Sequence, residues 1–134
     1  MHLLVLVLLL DGQILKIISM FNTKSKKYQA CKKRVDAGVK FLDTKFTRAK
    51  WIKKIDHTQL EMQNASSCVC GQLFGNFWDI VLRWDDIGTP KISFKKSTAL
   101  GFSESSAFSK NYDILQAVWL DKIIRLKKRA GLKV

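Results

Sequence analysis

One proline and seven glycines in 134 residues leave little material for the many tight turns of an all-β chain. Three cysteines, Cys31, Cys68 and Cys70, are too few and odd in number for a disulfide framework. A bridge between Cys68 and Cys70 would close a very small, strained ring, so reduced thiols in a cytoplasm are expected. Long apolar runs are also missing. Leu3 to Leu10 is eight residues long and stops at Asp11-Gly12, far short of the roughly 18–20 residues that span a bilayer. Acidic residues are scarce, 11 against 24 Lys and Arg, which leaves a net charge of +13. What the chain does have is apolar mass: 47% hydrophobic residues, with four Trp and eight Phe, enough for a core and too much for a disordered chain.

The charge is unevenly spread. Phe21 to Lys54 holds 12 basic and 2 acidic residues, Ile55 to Leu120 holds 5 and 7, and Asp121 to Val134 holds 6 and 1. Two basic ends around a near-neutral middle favour a polyanion: nucleic acid, an anionic surface or an acidic protein. A lysine-rich composition alone accounts for the same excess without a specific partner. Residues 1–20 form an apolar leader with one Lys and one Asp. The leader lacks the basic start and small-residue cleavage site of an export signal. It reads as a buried strand, as a membrane-surface anchor, or as sequence ahead of a true start at Met20. The remaining 21–134 is expected to be one basic helical domain.

Within it, Val35, Val39, Leu42 and Phe46 recur at helical spacing, predicting an amphipathic helix over about 29–46 with a basic outer face. Residues 47–54 read as a turn or short helix carrying Trp51, and 55–62 as a connector of extended character. Ser66 or Ser67 is a plausible cap for a second helix, Cys68 to Trp84, apolar nearly all round. A turn follows at 85–90. The alternation at 91–95 suggests a short strand, and 97–102 a turn of helix or a second strand closing a hairpin. A serine-rich surface loop spans 103–110. The last helix, Tyr112 to Arg129, carries Leu115, Val118, Trp119, Ile123 and Leu126 on one stripe. The expected fold is therefore mainly α, three principal helices with a small hairpin between the second and third. Its core should contain Val35, Val39, Leu42, Trp51, Leu73, Phe74, Phe77, Val81, Leu115, Trp119 and Ile123.

Several strings are distinctive. Gly38-x3-Leu42-Asp43 is followed by Trp51, then Ile55-Asp56-x3-Leu60-Glu61-Met62, then Cys68-Val69-Cys70-Gly71-Gln72-Leu73-Phe74-Gly75. Gly101-Phe102 and Leu115-x3-Trp119-x3-Ile123 complete the set. Together these resemble a family of small uncharacterised proteins from actinobacterial and other tailed-phage genomes, over about residues 34–128. The resemblance implies a cytoplasmic phage product in the host cell and brings no assigned activity with it. Two positions depart from the pattern: Ala49-Lys50 stands where the family commonly has Pro-Gly, and Cys70 where it has Leu. A position that accepts Leu is a packing position, which argues against metal binding by the Cys68-x-Cys70 pair.

Catalytic readings lack parts. A zinc site needs ligands beyond Cys68 and Cys70, and only Cys31, His57 and His2 remain. Asp56, His57 and Ser66 or Ser67 have no nucleophile elbow beside them, and Gly71-x3-Gly75 lacks the Lys-Ser/Thr of a phosphate loop. Asp43, Asp56 and Glu61 match acidic positions of the family pattern, but carboxylates near helix ends usually cap or pair. No enzyme, no cofactor, no metal and no small-molecule substrate are expected, and a membrane partner is not expected either. The expected function is non-catalytic binding of nucleic acid through a basic helical face made by Lys32, Lys33, Arg34, Lys40, Arg125, Lys127 and Lys128. The alternative is a protein-binding accessory factor acting on a host or defence complex.

Overall fold

The computed structural model describes residues 22–81, 92–106 and 109–134. The leader at 1–20, the turn at 85–90 and the end of the expected second helix at Trp84 lie outside these residues. The described chain is mainly helical, with no strand among the described residues. Six α-helices follow in order: α1 Lys26–Lys45, α2 Arg48–Lys54, α3 Val69–Phe74, α4 Phe77–Val81, α5 Phe94–Ala99 and α6 Tyr112–Arg129, with a 3-10 turn at His57–Gln59 between α2 and α3.

The first and last helices carry the architecture. Ser25 caps α1 by accepting a hydrogen bond from Tyr28 N at 3.1 Å. At the other end of the chain, Gly131, at φ 73°, closes α6. Its N–H and that of Leu132 return to the carbonyls of Lys128 and Lys127, the paired bonds of a glycine-terminated helix. α6 is the central element: α1, α2 and the 3-10 turn all pack on it. Leu115, Gln116, Val118, Trp119, Leu120, Ile123, Ile124 and Lys127 are buried around most of its circumference. Only the sector holding Asp113, Arg125, Lys128 and Arg129 is open to solvent.

The expected second helix is broken. Gly75 adopts φ 95° and ends α3, and α4 restarts two residues later, because a left-handed glycine cannot continue a right-handed helix. The cap of α3 is Cys68 rather than Ser66 or Ser67: its Sγ accepts from Gly71 N at 3.3 Å. Where a hairpin was expected, Phe94–Ala99 is helical and capped by Ser93; a side-chain cap and i→i+4 bonds satisfy that backbone locally, with no partner strand needed. The connector at 55–62 likewise holds the 3-10 turn, capped by Asp56. Of the expected core, all but Phe74 are buried, and Phe74 is half-buried against the cluster.

Two glycines permit close packing. A Cβ on Gly38 would lie 2.1 Å from the carbonyl oxygen of Leu100, and one on Gly101 would lie 3.0 Å from Val35 N. Gly38→Ala is therefore expected to cost about 2–3 kcal/mol through forced separation of α1 from the turn after α5. Urea unfolding of the variant checks this, and an unchanged midpoint would contradict the close approach.

Candidate nucleic-acid interface

α1 and α6 run antiparallel. Gly38 lies against Trp119, Asp36 pairs with Lys122 at 2.7 Å, and Tyr28 and Gln29 share a cleft with Arg125 and Arg129. That cleft has a volume of about 360 Å³ and is also lined by Thr23, Lys32, Val118 and Asp121. Tyr28 forms part of its floor, and burial, followed by the Asp121 charge, pushes its phenol above the usual tyrosine range. Asp121 accepts from Arg125 Nε at 3.0 and 2.9 Å. The guanidinium nitrogens of Arg125 make no further hydrogen bond among the described residues, and its side chain is 65% exposed. Lys32 and Arg129 are exposed and form no ion pair among the described residues. Four cations thus converge on one cleft, two of them held by carboxylates.

The seven basic residues expected to form the interface separate into two groups. Lys32, Lys33, Lys40, Arg125 and Lys128 are exposed. Lys33 and Lys40 lie seven apart on α1 together with Lys26, and so share its outer face; Lys32 and Arg125 meet at the cleft. Arg34 and Lys127 do other work. Arg34 donates from one nitrogen to the carbonyls of Thr98 and Ser103, at 3.0 and 3.3 Å, and from the other to Glu104 Oε2 at 2.5 Å. Lys127 is buried, and its Nζ donates to Ile55 O and lies 3.3 Å from His57 Nδ1. Burial lowers its pKa below the ordinary lysine value. Neither presents its charge to a partner.

Lys122 and Arg129 belong to the cleft and were missed from the sequence. Their signal was available: with Val118 and Arg125 they follow i, i+4, i+7 and i+11 spacing, one face of α6. Glu104 and Ser103 were also missed, because a serine-rich stretch reads as surface loop. In fact both are buried, Ser103 Oγ pairing with Ser97 Oγ at 2.8 Å.

The other polar groups raised by the sequence make hydrogen bonds of a structural kind. Asp56 accepts from Thr58 N and Oγ1, and the Thr58 bond is the main reason its carboxyl titrates below the ordinary value. Ser66 Oγ donates to Asn64, and His57 faces Lys127, so these residues form no triad. Burial pushes the thiol of Cys31 up to about 11, against the opposing pull of Arg34, and raises those of Cys68 and Cys70. Among the described residues no group of three or more His, Cys, Asp or Glu is placed to hold a metal, and no helix is long and apolar enough to cross a membrane. Asp43 takes two bonds from Arg48 and one from Trp51 Nε1, at 2.8, 2.7 and 2.9 Å. No family model, no curated protein and no solved structure matches the chain.

Three variants follow from these placements. Lys127→Glu is expected to destabilise the protein by roughly 2–4 kcal/mol, since it buries a carboxylate against the Ile55 carbonyl, whereas Lys128→Glu leaves the thermal midpoint within error. For Asp43, the Arg48 hydrogen bond holds the folded carboxyl below its ordinary value. Its stabilising contribution is therefore present above about pH 4 and lost as pH falls through the folded value. Asp43→Asn should be less stable than wild type at pH 7, with the gap closing in acid, as read by denaturant midpoints across pH.

Proposed function

We propose that the chain is a non-catalytic nucleic-acid-binding protein that works in the host cytoplasm as a small phage-type product. One observation carries the reading: Lys32, Arg125 and Arg129 converge on a cleft between the two long helices, with cationic capacity not consumed by internal pairs. Lys33 and Lys40 extend the positive field along the outer face of α1, and Lys128 adds to it on α6. A surface of this kind binds phosphates by charge and releases counterions. Among the described residues it offers no helix-turn-helix, finger or aromatic sheet for reading bases, so affinity that is largely independent of sequence is expected.

A second reading rests on a different surface. Trp78 and Phe94 are 45% and 39% exposed and line, with Met62, Phe77, Phe102 and Tyr112, a groove of about 190 Å³. Exposed aromatics beside a groove are what a protein contact uses, which supports an accessory factor acting on a host protein.

Salt separates the two. Fluorescence anisotropy of the full chain with labelled single- and double-stranded DNA and RNA should give micromolar binding that persists at physiological salt, with log K falling linearly in log salt. Lys32→Glu combined with Arg129→Glu should weaken it by about tenfold or more and flatten the salt slope by about one unit per lost phosphate contact. Binding seen only at low salt would overturn the nucleic-acid reading and turn attention to the Trp78 groove.

A further inference from the structure

The cleft between α1 and α6 differs from the rest of the basic surface in shape and in charge. Lys26, Lys33 and Lys40 form an open row, and successive members are seven residues, or about 10.5 Å, apart along α1. Such a row can follow a chain of phosphates but cannot enclose one. The cleft, at about 360 Å³, is a concave seat with side chains on more than one side. Lys32 reaches it from α1, and Lys122, Arg125 and Arg129 reach it from α6.

Its charge is countable. Against those four cations stand Asp121, bound to Arg125, and Asp36, bound to Lys122, leaving a net +2. An internal phosphodiester carries a single negative charge and would leave the seat half-neutralised. A terminal phosphate monoester carries about −1.5 to −2 at pH 7 and has three acceptor oxygens. Lys32 and Arg129 supply donors not engaged elsewhere among the described residues. Arg125 binds Asp121 through Nε alone, so its terminal nitrogens can hold an anion while the carboxylate fixes the guanidinium plane. Paired N–H groups on such a plane match phosphate geometry.

From this match we infer that the cleft seats the terminal phosphate monoester of a nucleic-acid strand, with the outer lysine row of α1 following the strand away from that end. This inference rests on the nucleic-acid reading above and adds an end specificity to it. Arg125 and Asp121 act here as a positioned donor and its support, and no bond is made or broken in the ligand.

The test uses the full chain and one oligonucleotide sequence made with a 5′-phosphate, with a 3′-phosphate, or with hydroxyls at both ends, compared by anisotropy at physiological salt. One phosphorylated form is expected to bind about tenfold more tightly than the hydroxyl form, the scale of an added charge-assisted hydrogen bond; the form that gains identifies the end recognised. Inorganic phosphate should erode that advantage before it weakens binding of the hydroxyl form. Lowering the pH from 7.5 to 5 should shrink the advantage too, as the monoester gains a proton near its second pKa of about 6. Arg129→Glu should abolish the preference, while Lys33→Glu with Lys40→Glu should weaken all three oligonucleotides alike and keep it. Equal affinity of the three for the wild-type protein would overturn the end-specific seat and leave the general reading standing. Failure of all three to bind would overturn both.

Discussion

Where α1 meets the turn after α5, the two backbones lie so close that neither can carry a side chain. Gly38 presents its Cα to the carbonyl of Leu100, and Gly101, at φ 71°, presents its own to the backbone of Arg34 and Val35. Trp119 reaches across from α6 and donates its indole N–H to Gly101 O at 2.6 Å, and its ring stacks on Phe102 at 6.0 Å. Arg34 closes the same joint from the other side. Its three bonds to Thr98, Ser103 and Glu104 offset the desolvation of a charge facing a carboxylate that is only 7% exposed, as a buried pair requires if it is not to destabilise. The rest of the molecule depends on this joint, because it sets the distance and rotation of α6 relative to α1, and hence the shape of the cleft further along the same seam.

The distinctive strings of the sequence meet one another in space. Gly38 faces Trp119, Asp43 bonds Trp51, and Asp56 N donates to Gln72 while Gln72 Nε2 donates back to Asp56 O. Gly101 accepts from Trp119. Each pair is a joint between elements, with glycines where backbones touch and polar side chains replacing absent backbone partners. Cys70, fully buried, behaves as a small apolar residue. These motif residues therefore specify architecture, which is why they carried no chemistry when read as a sequence. The candidate interface draws instead on Lys32, Arg125 and Arg129, which lie outside the quoted strings.

How much could be read in advance follows from the kind of force involved. Period-3.6 patterning is local, so α6 was legible to the residue and α1 within a few residues of each end. The mainly helical class and ten of eleven expected core residues followed from the same patterning. What escaped were decisions made by single residues against their neighbours. Gly75 interrupts an apolar stripe whose period gives no warning, and Ser93 turns an alternating stretch into a helix by capping it. For the cleft, composition identified the two basic helices but not which cations were free. Arg34 and Lys127 sit among lysines and arginines in sequence, yet their partners, Glu104 and Ile55, are 70 and 72 residues away, and no local pattern encodes a partner at that distance.

That partition matters for reading a strongly basic chain. A net charge of +13 establishes a field, and the field alone steers association without fixing where it ends. Cations tied into internal pairs contribute to the field but cannot give their hydrogen bonds to a ligand without breaking the fold. Arg34 is in this class, and Lys127 more so, since its ammonium is buried and its pKa lowered by that burial. Exposed cations keep their hydrogen bonds free, and those at the seam differ from the outer row in that Asp36 and Asp121 hold two of them in place and leave Lys32 and Arg129 open. A carboxylate beside an arginine in such a cleft lowers the net attraction but fixes the direction of the donors, and direction distinguishes a seat from a charged surface.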